Sequence, residues 1–232
     1  MNRKVLIIGG SSDIGVELAK LFLKKNYNLD LHYSSKLSSI KNLKFKNINF
    51  IKADFSKMND KNILKKFSNN YDIIINLTGF IDNKNFEKFK LKDLQKSIKI
   101  NSIIPLMIIR LSIKNMIKKK WGRIINSSSI GVKYGGGLNT FTYSISKHIN
   151  EFIPTYIKKL ASKNVFYNVI RIGLTDTKIH KKIKNRNLSS RINLVPVKKM
   201  AKPIDIAQYI YFISSENNNF ISSEIVTIAG GE

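Results

Sequence analysis

Short apolar runs alternate with amphipathic stretches from the start of the chain. Val5 to Gly9 has the length and apolar character of a buried strand, and Ile14 to Lys25 places its apolar side chains on one helical stripe. Leu29 to Tyr33 again has the character of a strand. The pattern therefore predicts that the chain opens with a strand, a helix and a second strand.

The alternation of apolar runs and amphipathic stretches continues to the last residues. Further strands are predicted at Ile48 to Ala53, Asp72 to Asn76, Arg123 to Asn126, Val165 to Ile172 and Glu224 to Ile228. Helices are predicted at Ile63 to Phe67, Leu91 to Lys119, Tyr143 to Ser162 and Pro203 to Ser215, and Pro105 should kink or divide the second of them. Strands that are apolar on both faces imply a parallel sheet covered by helices on each side. The predicted fold class is therefore α/β, a doubly wound parallel sheet of about seven strands flanked by helices.

The stretch from Gly173 to Met200 shows no clear hydrophobic period and is rich in Lys, Asn and Ser. Long connections inside compact domains are usually functional. We therefore expect a flexible substrate flap at about residues 174–200. Its apolar residues favour a partly apolar ligand, and they are Ile179, Ile183, Leu188, Ile192, Leu194 and Val195.

The length and composition predict one domain that spans residues 1–232. The chain has no cysteine, which excludes disulfides and thiolate metal sites. The histidines at positions 32, 148 and 180 are too scattered in sequence for a zinc cluster, so we expect no metal. The first apolar run, Val5 to Ile8, is too short for a signal peptide or a membrane span. We expect a cytoplasmic protein without a membrane segment.

Positive charge dominates the composition, with a formal net charge of +26 at pH 7. Basic surfaces often bind the phosphates of nucleic acids. Here only six of the 41 basic residues are arginine, and the lysines are spread along the chain among many Asn and Ile residues, as codon bias in an AT-rich genome would produce. We therefore predict no nucleic-acid partner and keep nucleic-acid binding as the alternative. The positive field should still attract anionic substrates and carriers.

A glycine-rich turn joins the first strand to the first helix, where Ile8 to Gly15 reads IGGSSDIG. Gly9 permits a tight turn, Gly15 permits close packing of the helix on the strand, and the helix N-terminus offers N–H groups to phosphate. In this context the turn predicts a cradle for the pyrophosphate of a dinucleotide. The alternative is an ordinary connection between a strand and a helix.

A tyrosine and a lysine follow a cluster of hydroxyl groups. Tyr143 and Lys147 share one face of a predicted helix, and Ser127, Ser128 and Ser129 precede them. An ammonium group near the phenol favours phenolate and should lower the pKa of Tyr143, which permits proton exchange near neutral pH. The combination favours redox chemistry in a cleft. Taken singly, such a pair also arises by chance, and a run of serines is commonly a loop.

Over essentially its full length the chain resembles the short-chain dehydrogenase/reductase family. The resemblance is carried by a turn at Gly9, Ser11, Ser12, Ile14 and Gly15, an acidic residue at Asp54, a strand end at Asn76, Leu77, Thr78 and Gly79, a tetrad at Asn101, Ser129, Tyr143 and Lys147, a loop from Arg171 to Thr177, and the ending Ala229 to Gly231. It implies a single-domain Rossmann-like fold, with Asp54 near the adenine and the Arg171 to Thr177 loop at the nicotinamide.

The sequence departs from the family pattern at Ile8, Asp13, Leu77, Thr78 and Ile172. The aspartate matters most because it replaces the middle glycine of the cofactor turn. An aspartate there could cap the following helix. Its charge is unfavourable beside a pyrophosphate, so we expect its carboxylate to turn away or to bind N–H groups.

The resemblance implies hydride transfer between a nicotinamide and a carbonyl carbon. Tyr143 would give the substrate oxygen its proton or take it back, while Ser129 hydrogen-bonds that oxygen. Lys147 would lower the pKa of Tyr143 and hold the nicotinamide ribose, and Asn101 would hold a water that connects to solvent. Ser128 is the alternative to Ser129, because the interval from Ser129 to Tyr143 is one residue longer than usual in the family. As an alternative, Asn101 only caps or bridges helix backbone.

Several segments contribute to the predicted cofactor site. Its residues are Gly9, Ser11, Ser12, Asp13, Ile14, Gly15, Tyr33, Ser34, Ser35, Asp54, Phe55, Asn76, Leu77, Thr78, Gly79, Tyr143, Lys147, Gly173, Thr175 and Thr177. The segment from His32 to Lys36 offers hydroxyls and a cation but no carboxylate. NADP is therefore preferred over NAD, because an acidic residue there would bind the ribose 2′-OH and repel a 2′-phosphate. Asp30 lies too early in the strand and is interpreted as structural.

The favoured function is NADPH-dependent reduction of a ketone, similar to the family's 3-oxoacyl-[acyl-carrier-protein] reductases, whose acidic carrier would suit a basic surface. One alternative is a dehydrogenase of sugar or glycan precursors. Another is a cofactor-binding regulator that has lost catalysis, although an intact tetrad argues against it. The family usually associates through its two long central helices, here Leu91 to Lys119 and Tyr143 to Ser162, so we expect a homodimer or homotetramer.

Overall fold

Seven parallel strands form the centre of the protein, whose computed structural model describes residues 3–35, 40, 43, 45–57, 59–67, 70–183 and 187–232. The strands are β1 (Lys4–Ile8), β2 (Asn28–Tyr33), β3 (Ile48–Lys52), β4 (Ile73–Asn76), β5 (Gly122–Ser129), β6 (Val165–Ile172) and β7 (Ile225–Ile228). They pair in the order β3-β2-β1-β4-β5-β6-β7, and every neighbouring pair is parallel. The predicted doubly wound parallel sheet is confirmed.

Helices cover both faces of this sheet. In the described part of the chain they are α1 (Asp13–Lys24), α2 (Asp60–Leu64), α3 (Leu91–Ile98), α4 (Ile104–Lys119), α5 (Phe141–Ile149), α6 (Thr155–Lys159), α7 (Leu188–Leu194) and α8 (Pro203–Ser214). Short 3₁₀ turns lie at Ile130–Tyr134, Leu160–Lys163 and Lys178–Lys182. The predicted helix at Ile63 to Phe67 begins earlier than expected, because Asn59 accepts the N–H of Lys61 and thereby caps α2.

The two faces of β1 supply two separate core clusters. Val5 and Ile7 pack in a cluster with α1 and α8, whereas Leu6 and Ile8 pack in a cluster with α4 and α6. All four side chains are fully buried. This alternation follows from the two-residue period of a strand, and burial on both faces explains why the sequence of β1 is apolar throughout.

Pro105 divides the long helix as predicted, by way of a π-helical turn. The turn spans Lys99–Ile103, between α3 and α4. Proline has no N–H, so it cannot bond the carbonyl of Asn101 as an α-helical residue would. That carbonyl instead accepts hydrogen bonds from side chains of the site described below. The interruption therefore places a backbone acceptor at the carboxyl end of β4.

The prediction of one helix from Tyr143 to Ser162 was wrong. Helix α5 ends at Ile149, and α6 begins only at Thr155. Pro154 occupies the position before α6 and lacks the N–H that a continuous helix would need there. The amide of Asn150 donates to the carbonyls of Asn101 and Ser127, which further fixes the break.

The flap, residues 174–200, contains more regular structure than its sequence predicts. It holds the 3₁₀ turn Lys178–Lys182 and helix α7, and Asn187 caps α7 by accepting the N–H of Ser190 at 3.0 Å. None of the α7 residues is buried, and its leucines at both ends are exposed, so its sequence carries no apolar stripe facing the core. Its flexibility stays a prediction.

Taken together with its π-helical turn, the stretch from Leu91 to Lys119 is long and apolar enough to cross a membrane by length and composition alone. Half of its most apolar window is buried within the protein. Ile108, Ile109, Ile113 and Met116 pack against the sheet. The apolar side of this helix therefore belongs to the core.

Candidate active site

The carboxyl ends of the central strands open into one large cavity. Its volume is about 1740 Å³, and it extends from the turn after β1 past β4, β5 and α5 to the flap. Open α/β sheets bind their ligands at this edge. Most of the predicted site residues line the cavity, and those that do not are Gly15, Tyr33, Asn76 and Asn101.

The glycine-rich turn has the tight geometry that its sequence predicts. Gly9 has a φ of +76°, and a Cβ there would lie 3.0 Å from the backbone carbonyl of Leu77. A Cβ on Gly15 would lie 2.6 Å from the carbonyl oxygen of Gly10. Ser12 caps α1 by accepting the N–H of Gly15 at 3.2 Å. Gly15 therefore shapes the turn from behind, while Gly9 and Ser12 face the cavity.

His32 supports this turn from β2, a role that was not among those predicted from the sequence. Its Nδ1 accepts the N–H of Gly9 at 3.0 Å, and its Nε2 lies 2.8 Å from the carbonyl oxygen of Ala53, so Nε2 carries the proton. The ring stacks on Phe55 at a centroid distance of 4.4 Å. Burial lowers the pKa of His32 to about 4. A histidine at the end of the second strand was the available signal.

Asp13 does not cap α1, because Ser12 occupies that position. Its carboxylate instead turns to the flap, where Oδ2 accepts the backbone N–H of Lys178 at 2.7 Å. The Lys178 ammonium lies 3.5 Å from Oδ1. The expectation that this carboxylate binds an N–H group is confirmed, and the N–H comes from the flap.

The end of β2 presents hydroxyl groups to the cavity. Ser34 and Ser35 line it, whereas Tyr33 does not and packs partly against the core. Lys36, the predicted cation, lies outside the described residues. Asp30 is buried away from the cavity and accepts the hydroxyl of Tyr71 at 2.6 Å, as its structural interpretation requires.

Asp54 and Phe55 form the wall of the cavity beyond β3. Asp54 accepts both the N–H and the hydroxyl of Ser56, at 2.9 and 2.6 Å. Burial opposes ionisation of Asp54, but these hydrogen bonds from Ser56 outweigh it and lower its pKa overall. Asp54 is thus a charged acceptor at the predicted adenine end.

The residues at the end of β4 have two roles: one supports the following loop, and the others line the cavity. Asn76 is fully buried, donates to Asn126 at 2.6 Å and accepts from Thr78, so it supports the loop without reaching the cavity. Leu77, Thr78 and Gly79 line the cavity. The predicted segment is therefore at the site, and its first residue, Asn76, supports the loop without lining the cavity.

Lys147 is buried beneath the cavity with three oxygen partners. Its Nζ donates to the Thr78 carbonyl at 2.7 Å, to the Ser127 carbonyl at 3.0 Å and to the Ser127 hydroxyl at 2.8 Å. Burial lowers the pKa of Lys147 to about 7, while three acceptors match the three protons of an ammonium. Its Nζ lies 5.9 Å from the ring centre of Tyr143. The predicted helix places both side chains at one cavity.

The serines after β5 have different partners. Ser129 lines the cavity and accepts the N–H of Gly131 at 3.2 Å. Ser128 donates to Glu151 at 2.6 Å, and Arg171 donates to the same carboxylate. Burial would raise the pKa of Glu151, but the hydrogen bonds from Arg171 and Ser128 hold it below the ordinary value. Since its hydroxyl is engaged, Ser128 is the weaker candidate for a substrate contact.

Asn101 lies behind the cavity and its side chain is fully buried. Its amide holds both backbone groups of Phe80, accepting the N–H at 2.8 Å and donating to the carbonyl at 3.0 Å, and also donates to Ser146 at 2.9 Å. The Thr78 hydroxyl donates to the backbone carbonyl oxygen of Asn101 at 3.2 Å. The side chain thus bridges the backbone of the loop after β4 rather than helix backbone, which was the alternative interpretation.

The start of the flap forms the opposite wall. Gly173, Thr175 and Thr177 line the cavity, as do Ile179 and His180. The Nε2 of His180 lies 2.6 Å from the Thr175 carbonyl oxygen, which ties the 3₁₀ turn to the loop after β6. Lys178 and His180 also line the cavity, although neither was predicted as a site residue.

These residues fit a nicotinamide dinucleotide. A Cβ at Gly9 would fill the space where the turn meets the loop after β4, and the start of α1 provides N–H groups for a pyrophosphate. The cavity is larger than most small-molecule sites, as an extended cofactor together with a substrate requires.

Known proteins with similar sequences and folds agree with this geometry. Residues 3–188 match the model of the short chain dehydrogenase family. The chain is 28% identical to the 3-oxoacyl-[acyl-carrier-protein] reductase FabG of Aquifex aeolicus over 186 residues, which cover 77% of this chain and 75% of that protein.

Two solved structures illustrate the likeness of fold. The structure of ElxO with NADP bound has a TM-score of 0.82 at 27% identity and covers 100% of this chain and 98% of its own. A 3-oxoacyl-[acyl-carrier protein] reductase from Brucella melitensis with bound NAD has a TM-score of 0.84 at 18% identity and covers 99% of this chain and 90% of its own.

The family match spans most of the chain, and the sheet and the cavity have the form that the motifs predict. The chain therefore belongs to the short-chain dehydrogenase/reductase family and is an NAD(P)-dependent oxidoreductase.

Proposed function

We propose that the protein reduces a ketone with NADPH, and that its substrate is a 3-oxoacyl thioester or a close analogue. The observation that carries this proposal is the single cavity that joins the hydroxyls of Ser34 and Ser35 to Tyr143 and Lys147. One end offers a place for a phosphorylated ribose, and the other offers a proton donor at an apolar opening.

Different residues of the cavity are proposed to bind different parts of the dinucleotide. Gly9, Ser11, Ser12 and Ile14 hold the pyrophosphate, Asp54 and Phe55 border the adenine, and Thr175 and Thr177 border the nicotinamide. Bound in this way, the cofactor supplies a hydride to the carbonyl carbon. The absence of a carboxylate at Ser34 and Ser35 supports NADP, because no charge there repels a 2′-phosphate.

Tyr143 is the proposed proton donor to the substrate oxygen, and Ser129 hydrogen-bonds the same oxygen as negative charge develops on it. Lys147 acts from below through its positive charge, and a hydrogen bond to a ribose hydroxyl would replace one of its three present acceptors. Its three oxygen partners fix the ammonium in one place, so little reorganisation is needed during proton transfer. Asn101 is a positioning residue that holds Phe80 and Thr78 in place.

The open end of the cavity favours an acyl chain. Ile179, Ile183 and Leu194 line it from the flap, and Tyr134 and Leu138 line it from the other side. Leu138 and Leu194 are 89% and 71% exposed, and such an exposed apolar border is typical of a ligand groove. The similarity to 3-oxoacyl-[acyl-carrier-protein] reductases supports a thioester, and the net charge of +26 suits delivery on an acidic carrier protein.

The association expected from the sequence remains part of the proposal. Exposed apolar side chains lie along the two helical regions concerned, at Ile103 and Leu106 and again at Ile149, Phe152 and Tyr156. Apolar residues at such positions are typical of a surface covered by another subunit. We propose a homodimer or homotetramer that uses these helices.

The test is a panel of acetoacetyl thioesters, simple ketones and sugars with NADPH and with NADH, followed by nicotinamide absorbance. We expect thioesters with NADPH to have the highest kcat/KM. Tyr143→Phe should lower kcat by about 10²- to 10⁴-fold, since this is the usual contribution of general acid catalysis. NADPH binding should persist in this variant.

Other outcomes of the same panel would redirect the proposal. Preferred turnover of sugars would make the protein a sugar dehydrogenase. Binding of NADPH without turnover of any substrate would support a catalytically silent regulator. Equal turnover by Tyr143→Phe and the parent would remove Tyr143 as the proton donor.

A further inference from the structure

The flap begins with a direct connection to the glycine-rich turn. The N–H of Lys178 donates to Asp13 Oδ2 at 2.7 Å, and its ammonium lies 3.5 Å from Asp13 Oδ1. Asp13 is the first residue of α1, and Lys178 is the first residue of the 3₁₀ turn Lys178–Lys182. Residues 165 positions apart in the chain therefore meet at the place proposed for the pyrophosphate.

The same 3₁₀ turn also contacts the other side of the cleft. A Cβ on Gly79 would lie 3.1 Å from Ile179 Cδ1, so this isoleucine packs closely over the loop after β4. His180 is bound to the Thr175 carbonyl at 2.6 Å. The first turn of the flap thus spans the cleft from the start of α1 to the loop after β4, across the path of an extended cofactor.

A carboxylate at position 13 creates an electrostatic problem for anion binding. A pyrophosphate at the start of α1 would lie near the Asp13 carboxylate, and two like charges at close range repel each other. Both carboxylate oxygens face Lys178, which neutralises their charge. The Lys178 side chain remains 73% exposed, which leaves its ammonium room for a further acceptor.

We propose that Lys178 is a phosphate-binding residue that compensates Asp13 and at the same time contacts the pyrophosphate of the cofactor. The backbone bond from Lys178 to Asp13 then fastens the flap over the occupied turn. Cofactor binding and flap closure are coupled, because the same ammonium serves both. This inference rests on the placement of the pyrophosphate proposed above.

The test is a double-mutant cycle on NADPH affinity, measured by isothermal titration calorimetry. Lys178→Met should raise the Kd of NADPH about tenfold or more, because it removes a charge-assisted contact and leaves Asp13 uncompensated. Asp13→Asn retains an oxygen for the Lys178 N–H but removes the repelling charge. In the Asp13→Asn background, Lys178→Met should therefore raise the Kd by clearly less than in the parent.

A matched control separates this effect from loss of net charge. Lys20 lies on α1, pairs with Glu17 at 2.6 Å and does not line the cavity. Lys20→Met removes one positive charge from α1, the helix that carries Asp13. It should change the Kd of NADPH by less than about twofold, because salt screens distant charges.

Flap closure has its own readout. Cleavage by chymotrypsin at Leu188 and Leu194 should slow when NADPH is added to the parent, and should slow less in Lys178→Met. Equal increases in Kd in the two backgrounds, or no increase in the parent background, would overturn the inference. Failure of the parent to bind either NADPH or NADH would instead overturn the proposed function, and this inference with it.

Discussion

The back of the active site and its flap are held in different ways. We call the buried polar side chains behind and beneath the cavity the site floor, and they are His32, Asn76, Thr78, Asn101, Ser127 and Lys147. Each is bonded to backbone or to another member of the set. The flap is fastened through Lys178 to Asp13, through Arg191 to Glu232, and by a bridge between Thr175 and Ala201.

This difference separates two tasks of the enzyme. Buried polar groups depend on every partner, because a group left without one keeps its full desolvation cost. The exposed pair of Lys178 with Asp13 contributes little to stability and is readily exchanged. The proposed catalytic geometry thus lies where substitution is costly, and the proposed ligand contacts of the flap lie where substitution is tolerated. The comparison predicts joint loss of activity and stability in the site floor, and altered substrate affinity alone in the flap.

The largest effect is expected at Lys147. Lys147→Met should lower kcat/KM at least about 100-fold, because it removes the charge beside the proposed proton donor Tyr143. It also leaves the carbonyls of Thr78 and Ser127 without their donor. Steady-state kinetics with NADPH provides the measurement. Exposed Lys158→Met is the control and should behave as the parent.

The stability of the same variant should depend on pH. The folded pKa of Lys147 is about 7, below its ordinary 10.5, so the unfolded chain binds more protons between these values. The parent therefore gains stability relative to Lys147→Met as pH rises from 7 to 10.5. Thermal melts of both proteins across this range test the sign, and parallel curves would contradict the burial of a titrating ammonium.

A smaller, acid-dependent effect is expected at His32. Its folded pKa of about 4 lies below the ordinary 6.5, so stability should be lost as pH falls from 6.5 to 4. His32→Gln does not titrate and should escape up to about 3 kcal/mol of this loss, since one pKa unit corresponds to about 1.4 kcal/mol. Urea unfolding at several pH values measures the difference.

The smallest change in stability is expected in the flap, at Lys178. This residue lines the cavity and pairs with Asp13, and its side chain is 73% exposed. Lys178→Met should change the free energy of unfolding by less than about 1 kcal/mol, as for most exposed pairs. It should nevertheless raise KM for NADPH while kcat stays near the parent value. A loss of stability as large as that of Lys147→Met would erase the distinction between the flap and the site floor.

The features that the sequence predicts best arise from local patterns. The glycine-rich turn is contiguous from Gly9 to Gly15, and Tyr143 and Lys147 lie one helical turn apart. The strands are apolar on both faces, so the sheet follows from their runs of isoleucine and valine. Each of these inferences needs only neighbouring residues and a known period.

The features that the sequence did not reveal depend on distant partners. Asp13 meets Lys178 across 165 positions, and Gly9 meets His32 across 23. No local pattern encodes such contacts. The break after α5 is different, because Pro154 was visible in the sequence and the apolar positions around it concealed its effect. Helix α7 depends on the Asn187 cap rather than on a hydrophobic stripe.

The interrupted helix before Pro105 has one further consequence. The carbonyl of Asn101 belongs to the main chain, so no exchange of the residue at position 101 can delete this acceptor from beneath Thr78 and Asn150. Only an amino acid with an N–H at position 105 could compete for it. Pro105 does not line the cavity, yet it keeps this acceptor available, because it lacks the N–H that would otherwise bond the carbonyl of Asn101.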